Sequence, residues 1–241
     1  MAVCVPPLYW YTNWAKMIFA LEMWKAQGVV HVIIYHHSST KHVYKVLSHY
    51  QKEGFVTIVP WPSLPQTPFE DPNQSLYRLA HSLAHNDCVL RLNTEFGALI
   101  DVDEVIMPRN HTLMSFVIEN FANSSVGALL FKHHTLALNP NYAGQNFSYD
   151  TLNFSGIWDA TELEYEGPPK IPEKSAALLH HRYNIGIDWI GRNPQSVRLL
   201  PTTAELNALH KSLNHRKEAI FPNGADFHFE TQMQLGFCLQ R

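Results

Sequence analysis

The segment VVHVIIYHHSSTKHVYKVLSHYQKEGFVTIVPW, residues 29–61, predicts one complete β-α-β unit. Residues 29–35 and 55–61 are runs of aliphatic and β-branched side chains, which are typical of buried strands. The segment between them, residues 38–54, begins with polar capping residues and ends at a glycine, as helices do. Its apolar side chains recur at helical spacing: Val43, Val46, Leu47 and Tyr50. Strands joined in this way run parallel in one sheet.

The same alternation continues on both sides of this unit. The other predicted elements are a strand at 3–10, a helix from Asn13 to Gly28, a helix at 75–92, a strand at 97–107, a helix at 112–120 and a strand at 126–138. The predicted fold class is therefore α/β, with a mainly parallel central sheet and helices on both faces. In such sheets, ligands bind outside the carboxyl ends of the strands.

Length and composition favour a single domain over residues 1–241, because the chain has 241 residues and is 46% apolar. Residues 139–174 are rich in Asn, Gly, Pro and Tyr and predict no regular element. With 16% charged residues and a net charge of −3, the chain lacks the basic footprint of a nucleic-acid-binding protein. The glycine-rich signatures of dinucleotide-binding and P-loop proteins are absent from the sequence as well.

Targeting signals give mixed indications. No apolar run approaches the ~20 residues that span a bilayer, and the sequence shows no signal peptide, so a membrane anchor would have to lie outside this chain. Cys4, Cys88 and Cys238 allow at most one disulfide, and buried free thiols fit equally well. Five N-x-S/T sequons nevertheless point to the secretory lumen: Asn73, Asn110, Asn123, Asn146 and Asn153.

The stretch GALIDVDEVIMP, residues 97–108, places three acids between two apolar runs. Carboxylates are costly to desolvate unless something pairs with them, and a divalent cation is one such partner. On a regular strand alternate side chains share a face, so Asp101 and Asp103 would point together at one ion. Mg²⁺ and Mn²⁺ both suit carboxylate ligands and keep positions open for phosphate oxygens. The competing interpretation is a strand that ends in a solvated acidic turn.

Four blocks of sequence, in this order, resemble glycosyltransferase family 92, formerly a domain of unknown function. They are CVPPLYWYTNW at 4–14, the segment 29–61, HNDCVLR at 85–91 and ALIDVDEVIMP at 98–108. The resemblance is strong over residues 3–138 and looser to residue 216. It implies a GT-A fold, with a donor-binding half at 3–138 and an acceptor half at 139–216.

The activity that the resemblance implies is metal-dependent transfer of galactose from UDP-galactose to a glycan acceptor, on sugars such as fucose or galactose, with inversion expected at the anomeric carbon. Family members are generally type II membrane proteins of the Golgi, so a lumenal domain is expected. The alternative is a non-catalytic relative that binds a glycan or a nucleotide sugar.

The resemblance also assigns the acidic residues. Asp101 and Asp103 become a D-x-D motif, and together with Glu104 they form the expected catalytic set. Asp103 would bind Mn²⁺ or Mg²⁺ directly, and Asp101 would contact the metal or the donor ribose. The role of Glu104 is left open, and bracing the loop is one option.

A third metal ligand is expected from the carboxy-terminal part of the chain. His215 is the candidate, and Arg216 beside it would neutralise the diphosphate. The family usually shows His-Tyr-Arg where this chain has Asn-His-Arg, so His181 is an alternative ligand.

The donor is expected to contact two further regions. Asn86 and Asp87, on the helix before the acidic strand, would bond the hydroxyls of the sugar. Pro7 and Tyr9, in the turn after the first strand, would cradle the uracil. His36 and His37 would meet the nucleotide, whereas Ser38 is interpreted as part of a turn and helix cap. A general base for inversion is left open among four acids of the irregular region: Asp150, Asp159, Glu162 and Glu164.

Overall fold

The computed structural model describes residues 1–108, 111–121, 127–131, 133–138, 160–163, 176–181, 195–197 and 203–225. They divide into two compact units. The N-terminal unit contains Met1–Met17 and Val29–Val102, and the C-terminal unit contains Ile18–Gly28 and the described residues from Asp103 onward. The prediction of a single domain over residues 1–241 stays a prediction.

The N-terminal unit follows the predicted alternation of strands and helices. Its elements are β1 (Ala2–Leu8), the start of α1 (Trp14–Ala26), β2 (His31–His36), α2 (Lys41–Lys52), β3 (Val56–Pro60), α3 (His81–Arg91) and β4 (Gly97–Leu99). The strands form one parallel sheet in the order β3-β2-β1-β4, in which Val3 lies opposite Val32 and Ala98. Helix α3 packs on β1 and α2 packs on β3. The predicted α/β class, with a parallel sheet flanked by helices, is confirmed.

Local sequence signals account for the ends of the first two helices. The Asn13 side chain accepts a hydrogen bond from the Lys16 amide at 2.9 Å, which caps α1. Thr40 caps α2 in the same way, and the four apolar residues predicted for its inner face are buried. Gly54 ends α2 with a φ of +77°, a conformation that glycine adopts without strain.

A buried disulfide joins Cys4 of β1 to Cys88 of α3, with the two Cα atoms 6.0 Å apart. Both cysteines are 0% exposed and pack with Ile33, Tyr35 and Ala84. The sequence left the choice between a disulfide and free thiols open, because nothing in a linear pattern pairs two cysteines 84 positions apart. The bridge fixes α3 to β1, one of the two inner strands of the sheet.

The helix predicted at 75–92 begins only at His81. A 3₁₀ turn, Pro72–Ser75, and a left-handed turn at residues 77–80 precede it. The backbone of Arg78, Leu79 and Ala80 has φ angles of 45°, 54° and 60°, which a right-handed helix cannot contain.

The C-terminal unit is organised by a mixed sheet. Its elements are β5 (Glu104–Pro108), α4 (Leu113–Phe121), β6 (His133–Leu138), β7 (Ala160–Leu163), β8 (Ala176–His181), β9 (Gln195–Val197) and α5 (Thr203–Ile220). The strand order is β5-β8-β6-β7-β9; β6 and β8 are parallel, and the other described pairs are antiparallel. Helix α4 confirms the prediction at 112–120, whereas β6 is only the end of the strand predicted at 126–138.

Gln27 ties the end of α1 to β5 and α4 inside this unit. Its side chain is 1% exposed; Oε1 accepts from the Leu113 amide at 2.7 Å and Nε2 donates to Met107 Sδ at 3.4 Å. The next residue, Gly28, has a φ of +85°, and a Cβ there would lie 2.8 Å from Met114 Cβ. Within the described ranges, no helix is both long and apolar enough to cross a membrane.

Candidate active site

The carboxyl ends of β1, β2, β3 and β4 meet at one edge of the parallel sheet, called here the carboxyl edge. The loops that follow β1 and β2 are hydrogen-bonded to each other at this edge. The Trp10 amide donates to Ser38 Oγ at 2.9 Å, and the His37 and Ser38 amides donate to the Leu8 carbonyl, both at 3.0 Å. This is the position at which parallel α/β sheets bind ligands.

Trp10, at the carboxyl edge, combines an exposed side chain with an uncommon backbone conformation. Its side chain is 79% exposed and its φ is +53°, an uncommon conformation for a residue with a Cβ. Backbone strain of this kind clusters at ligand-binding sites. Of the two residues predicted to cradle the uracil, Tyr9 is exposed, whereas Pro7 is buried within β1.

The prediction of a continuous strand at 97–107 is wrong. Strand β4 ends at Leu99, β5 begins at Glu104, and Val102 and Asp103 form a turn. The physical reason is a change of partner, because β4 hydrogen-bonds to β1 whereas β5 pairs with β8. The strand-face argument for Asp101 and Asp103 therefore does not hold, although the turn leaves Asp101 at the carboxyl edge.

Two histidines of α3 lie beside Asp101. His81 Nε2 is 3.7 Å from Asp101 Oδ1, and the rings of His81 and His85 are 4.5 Å apart between centroids. Burial lowers the pKa of His85, the nearby His81 lowers it further, and Asp101 acts in the opposite direction. Within the described part of the chain, the buried His85 Nε2 has no hydrogen-bond partner. Sequence analysis missed both residues, although their i, i+4 spacing ahead of the acidic block was a usable signal.

Asp87, predicted to bond the donor sugar, belongs to a side-chain network in the N-terminal unit. Tyr35 Oη donates to Asp87 Oδ2 at 2.5 Å, and Arg91 donates to the same carboxylate from Nε at 2.6 Å and from Nη2 at 3.3 Å. The network links β2 to α3. Neighbouring Asn86 is exposed, so Asn86 is the more accessible of the two predicted sugar contacts.

Comparison with known proteins identifies the family of this chain. The sequence profile of glycosyltransferase family 92 matches residues 1–171. The chain belongs to glycosyltransferase family 92. One family 92 protein of Caenorhabditis elegans is 29% identical over 215 residues, covering 87% of this chain and 41% of the relative. A second from the same organism is 27% identical over 115 residues, covering 45% of this chain and 22% of the relative. The chain thus spans less than half the length of these relatives.

Two further acidic candidates of this family 92 chain, Asp103 and Glu104, lie in its C-terminal unit. Asp103 is partly buried in the turn before β5, and Glu104 is the first residue of β5, in register with His180 of β8. The structure describes His181 and Glu162 only as backbone positions in β8 and β7. Three candidate bases lie outside the described residues: Asp150, Asp159 and Glu164.

The predicted metal set is Asp101, Asp103 and His215. His215 is exposed on α5. Among the residues that the structure describes, no three His, Cys, Asp or Glu side chains form a group that could hold a metal ion. This ligand set stays a prediction. Arg216, predicted to neutralise the diphosphate, has its Nε 3.1 Å from Glu22 Oε1.

The Asp87 network predicts a measurable pH dependence of stability. Hydrogen bonds from Arg91, and then from Tyr35, hold the pKa of Asp87 below its usual range. A carboxyl whose pKa is lowered on folding stabilises the protein above its unfolded pKa of about 3.9, and this contribution is lost as pH falls through the folded value. Between about pH 5 and pH 3, wild type should therefore lose more free energy of unfolding than Asp87→Asn. Urea unfolding at stepped pH gives, for both proteins, the slope of the free energy of unfolding against pH.

The matched control is Glu95→Gln, which removes another exposed carboxylate of the same unit. Its slope should follow that of wild type. Equal slopes for wild type and Asp87→Asn would contradict the expected role of the network.

Proposed function

We propose that this chain transfers galactose from UDP-galactose to a hydroxyl group of a glycan, with Mn²⁺ or Mg²⁺ as cofactor and with inversion at the anomeric carbon. Membership of family 92 supports a glycosyltransferase with a nucleotide-sugar donor. One structural observation carries the proposal: Asp101 lies at the same carboxyl edge as Trp10, whose indole is exposed and whose amide is bonded to Ser38.

The residues of this edge fit the base and the diphosphate of a nucleotide sugar. The exposed indole of Trp10 offers a flat apolar surface on which a pyrimidine can stack, with Tyr9 beside it. Asp101, with a side chain 33% exposed, supplies hard oxygen atoms of the kind that Mg²⁺ and Mn²⁺ prefer. A bound cation would neutralise the diphosphate and so stabilise the negative charge that develops as UDP leaves.

Inversion requires the acceptor oxygen to attack the anomeric carbon from the side opposite the departing UDP. The new bond forms between that oxygen and the carbon, the bond to the diphosphate oxygen breaks, and a base takes the hydroxyl proton. Candidate bases are Glu162, Asp150, Asp159 and Glu164.

Release of UDP from UDP-galactose tests the proposal without a known acceptor, because slow hydrolysis of the donor by water needs only the donor site. Wild type with Mn²⁺ should release UDP, and a chelator should abolish the release. Asp103→Ala should lower the rate by about 100-fold, the scale of losing a main stabiliser of leaving-group charge. Glu95→Ala, which removes an exposed acid close to β4, should not change it.

A rate that is indifferent to the chelator and to Asp103→Ala would overturn metal-dependent transfer by this motif. If no UDP is released, the melting temperature should be compared with and without UDP and Mn²⁺. Stabilisation without turnover would favour a donor-binding relative that does not catalyse, whereas no stabilisation would remove the nucleotide sugar from the proposal.

We further propose that the protein works in the lumen of the Golgi or another secretory compartment. The buried Cys4–Cys88 disulfide supports this location, because disulfides persist in oxidising compartments. Peptide mapping without reductant should recover the Cys4–Cys88 bridge from protein made in the secretory pathway. Alkylation of both thiols in that material would contradict the proposal.

A further inference from the structure

The connection between β3 and α3, residues 61–80, is held in place by side chains. The Asn73 side chain joins two parts of this connection through a pair of hydrogen bonds to Leu64. Its Oδ1 accepts from the Leu64 amide at 2.7 Å, and its Nδ2 donates to the Leu64 carbonyl at 2.9 Å. Trp61 Nε1 donates to the Leu79 carbonyl at 2.8 Å and joins the two ends. A connection fastened in this way presents its side chains in fixed positions, which lowers the entropy cost of binding a ligand.

The last part of this connection carries backbone strain. Arg78, Leu79 and Ala80 have φ angles of 45°, 54° and 60°, and none of them is a glycine. Such conformations persist only where the surrounding structure enforces them, and they cluster at ligand-binding and catalytic sites. The Trp61 bond to the middle one, Leu79, is one such enforcing contact. Three consecutive strained residues therefore point to a functional segment.

The strained segment begins next to an exposed aromatic and cationic pair. The Tyr77 side chain is 74% exposed, and the guanidinium carbon of exposed Arg78 lies 5.4 Å from the centre of its ring. A phenol ring offers a flat apolar face with a polar hydroxyl at its end, and a guanidinium offers several hydrogen-bond donors. Together these groups suit a sugar ring, which has an apolar C–H face and a rim of hydroxyls.

Along the chain, this pair immediately precedes the helix that carries His81 and His85. Tyr77 is four residues before His81, and His81 Nε2 is 3.7 Å from Asp101 Oδ1. Productive transfer needs the attacking oxygen within about 3–3.5 Å of the reacting carbon, so the acceptor must be held beside the donor. Tyr77 and Arg78 occupy a suitable place along the chain for that task.

We propose that Tyr77 and Arg78 bind a sugar ring of the acceptor glycan next to the donor site. The proposal rests on the proposed function, since it assigns the acceptor side of the same reaction. The sugar ring packs on the face of Tyr77 that Arg78 does not cover, hydroxyls at the rim of the sugar accept hydrogen bonds from Arg78, and the strained backbone of 78–80 sets the orientation of the pair.

The test compares UDP release from UDP-galactose alone with release in the presence of galactose-terminated and fucose-terminated oligosaccharides. At least one of these sugars should accelerate release by wild type. Tyr77→Ala should raise the KM for that sugar about tenfold or more, as expected for a central aromatic contact. Release without acceptor should be unchanged. Tyr77→Phe should keep most of the acceptor affinity because it retains the flat ring.

Phe69→Ala is the matched control, because Phe69 is an aromatic residue of the same connection that is 94% exposed and lies further from His81 along the chain. It should leave the KM for the sugar unchanged. The proposal fails if Tyr77→Ala behaves like Phe69→Ala, if Tyr77→Ala lowers release without acceptor to the same extent, or if wild type releases UDP but no sugar accelerates that release.

Failure of the proposed function has a separate signature, which is the absence of UDP release by wild type in the first place. Equilibrium binding of the same oligosaccharides to wild type and to Tyr77→Ala decides the inference even then. Binding that weakens about tenfold in Tyr77→Ala supports it, and equal or undetectable binding to both proteins overturns it.

Discussion

Cys88→Ala should lower the free energy of unfolding by about 2–5 kcal/mol, the usual cost of losing a native disulfide. The bridge to Cys4 spans 84 positions, so it restricts the unfolded chain strongly. Both cysteines are 0% exposed within the contact between β1 and α3, so removing the bond also disturbs packing there. Urea unfolding at equilibrium, monitored by far-UV circular dichroism, measures the change.

The matched control is the double variant Cys4→Ala/Cys88→Ala studied with and without reductant. Reductant should destabilise wild type and leave the double variant unchanged. A wild-type unfolding midpoint that does not respond to reductant would count against the bridge.

The disulfide also bears on the candidate site, because α3 carries the histidines next to Asp101. If the bridge holds α3 on β1, Cys88→Ala should lower UDP release even under conditions where the variant is fully folded. Unchanged release from folded Cys88→Ala would limit the bridge to a role in stability.

Arg216→Met should lower the free energy of unfolding by about 3–5 kcal/mol, because it leaves a buried carboxylate without its nearest described cation. The Glu22 side chain is 4% exposed, and Arg216 Nε lies 3.1 Å from its Oε1. Lys25 Nζ is further away at 3.8 Å, and Ser212 donates a hydrogen bond to Glu22 Oε2. These two contacts remain in Arg216→Met and partly stabilise the carboxylate, so the loss should be about 3 kcal/mol. Urea unfolding measures the change in the free energy of unfolding.

Two variants make this second test specific. Lys211→Met removes an exposed cation of the same helix and should change stability by less than about 0.5 kcal/mol. Glu22→Leu/Arg216→Met removes both charges and should be more stable than Arg216→Met alone. Equal effects of Arg216→Met and Lys211→Met would contradict the structural role of Arg216. Weaker UDP binding without loss of stability would instead return Arg216 to the predicted diphosphate contact.

Sequence patterns predicted the features of the fold that depend on near neighbours. Hydrophobic spacing located α2 and its buried face, Asn13 marked the start of α1, and Gly54 marked the end of α2. These signals act within a few residues. The parallel direction of the strands in the first sheet follows from the helical connections that these signals define.

The features that were missed depend on contacts between distant residues. The choice of sheet partner that separates β4 from β5 is invisible in the apolar run that contains both strands. The pairing of Glu22 with Arg216, and the approach of His81 to Asp101, need the folded chain. The left-handed backbone at Leu79 was also missed, because the residue types there do not indicate it.

The Asn73 amide has a consequence for the order of events during biosynthesis. Both of its hydrogens are engaged, one with the Leu64 carbonyl and the other with Asp71 Oδ1, yet Asn73-Gln74-Ser75 is a glycosylation sequon. An attached oligosaccharide would replace one of those hydrogens. If Asn73 is modified before the 61–80 connection closes, the connection therefore closes with one hydrogen bond fewer; if the connection closes first, both hydrogens are already engaged.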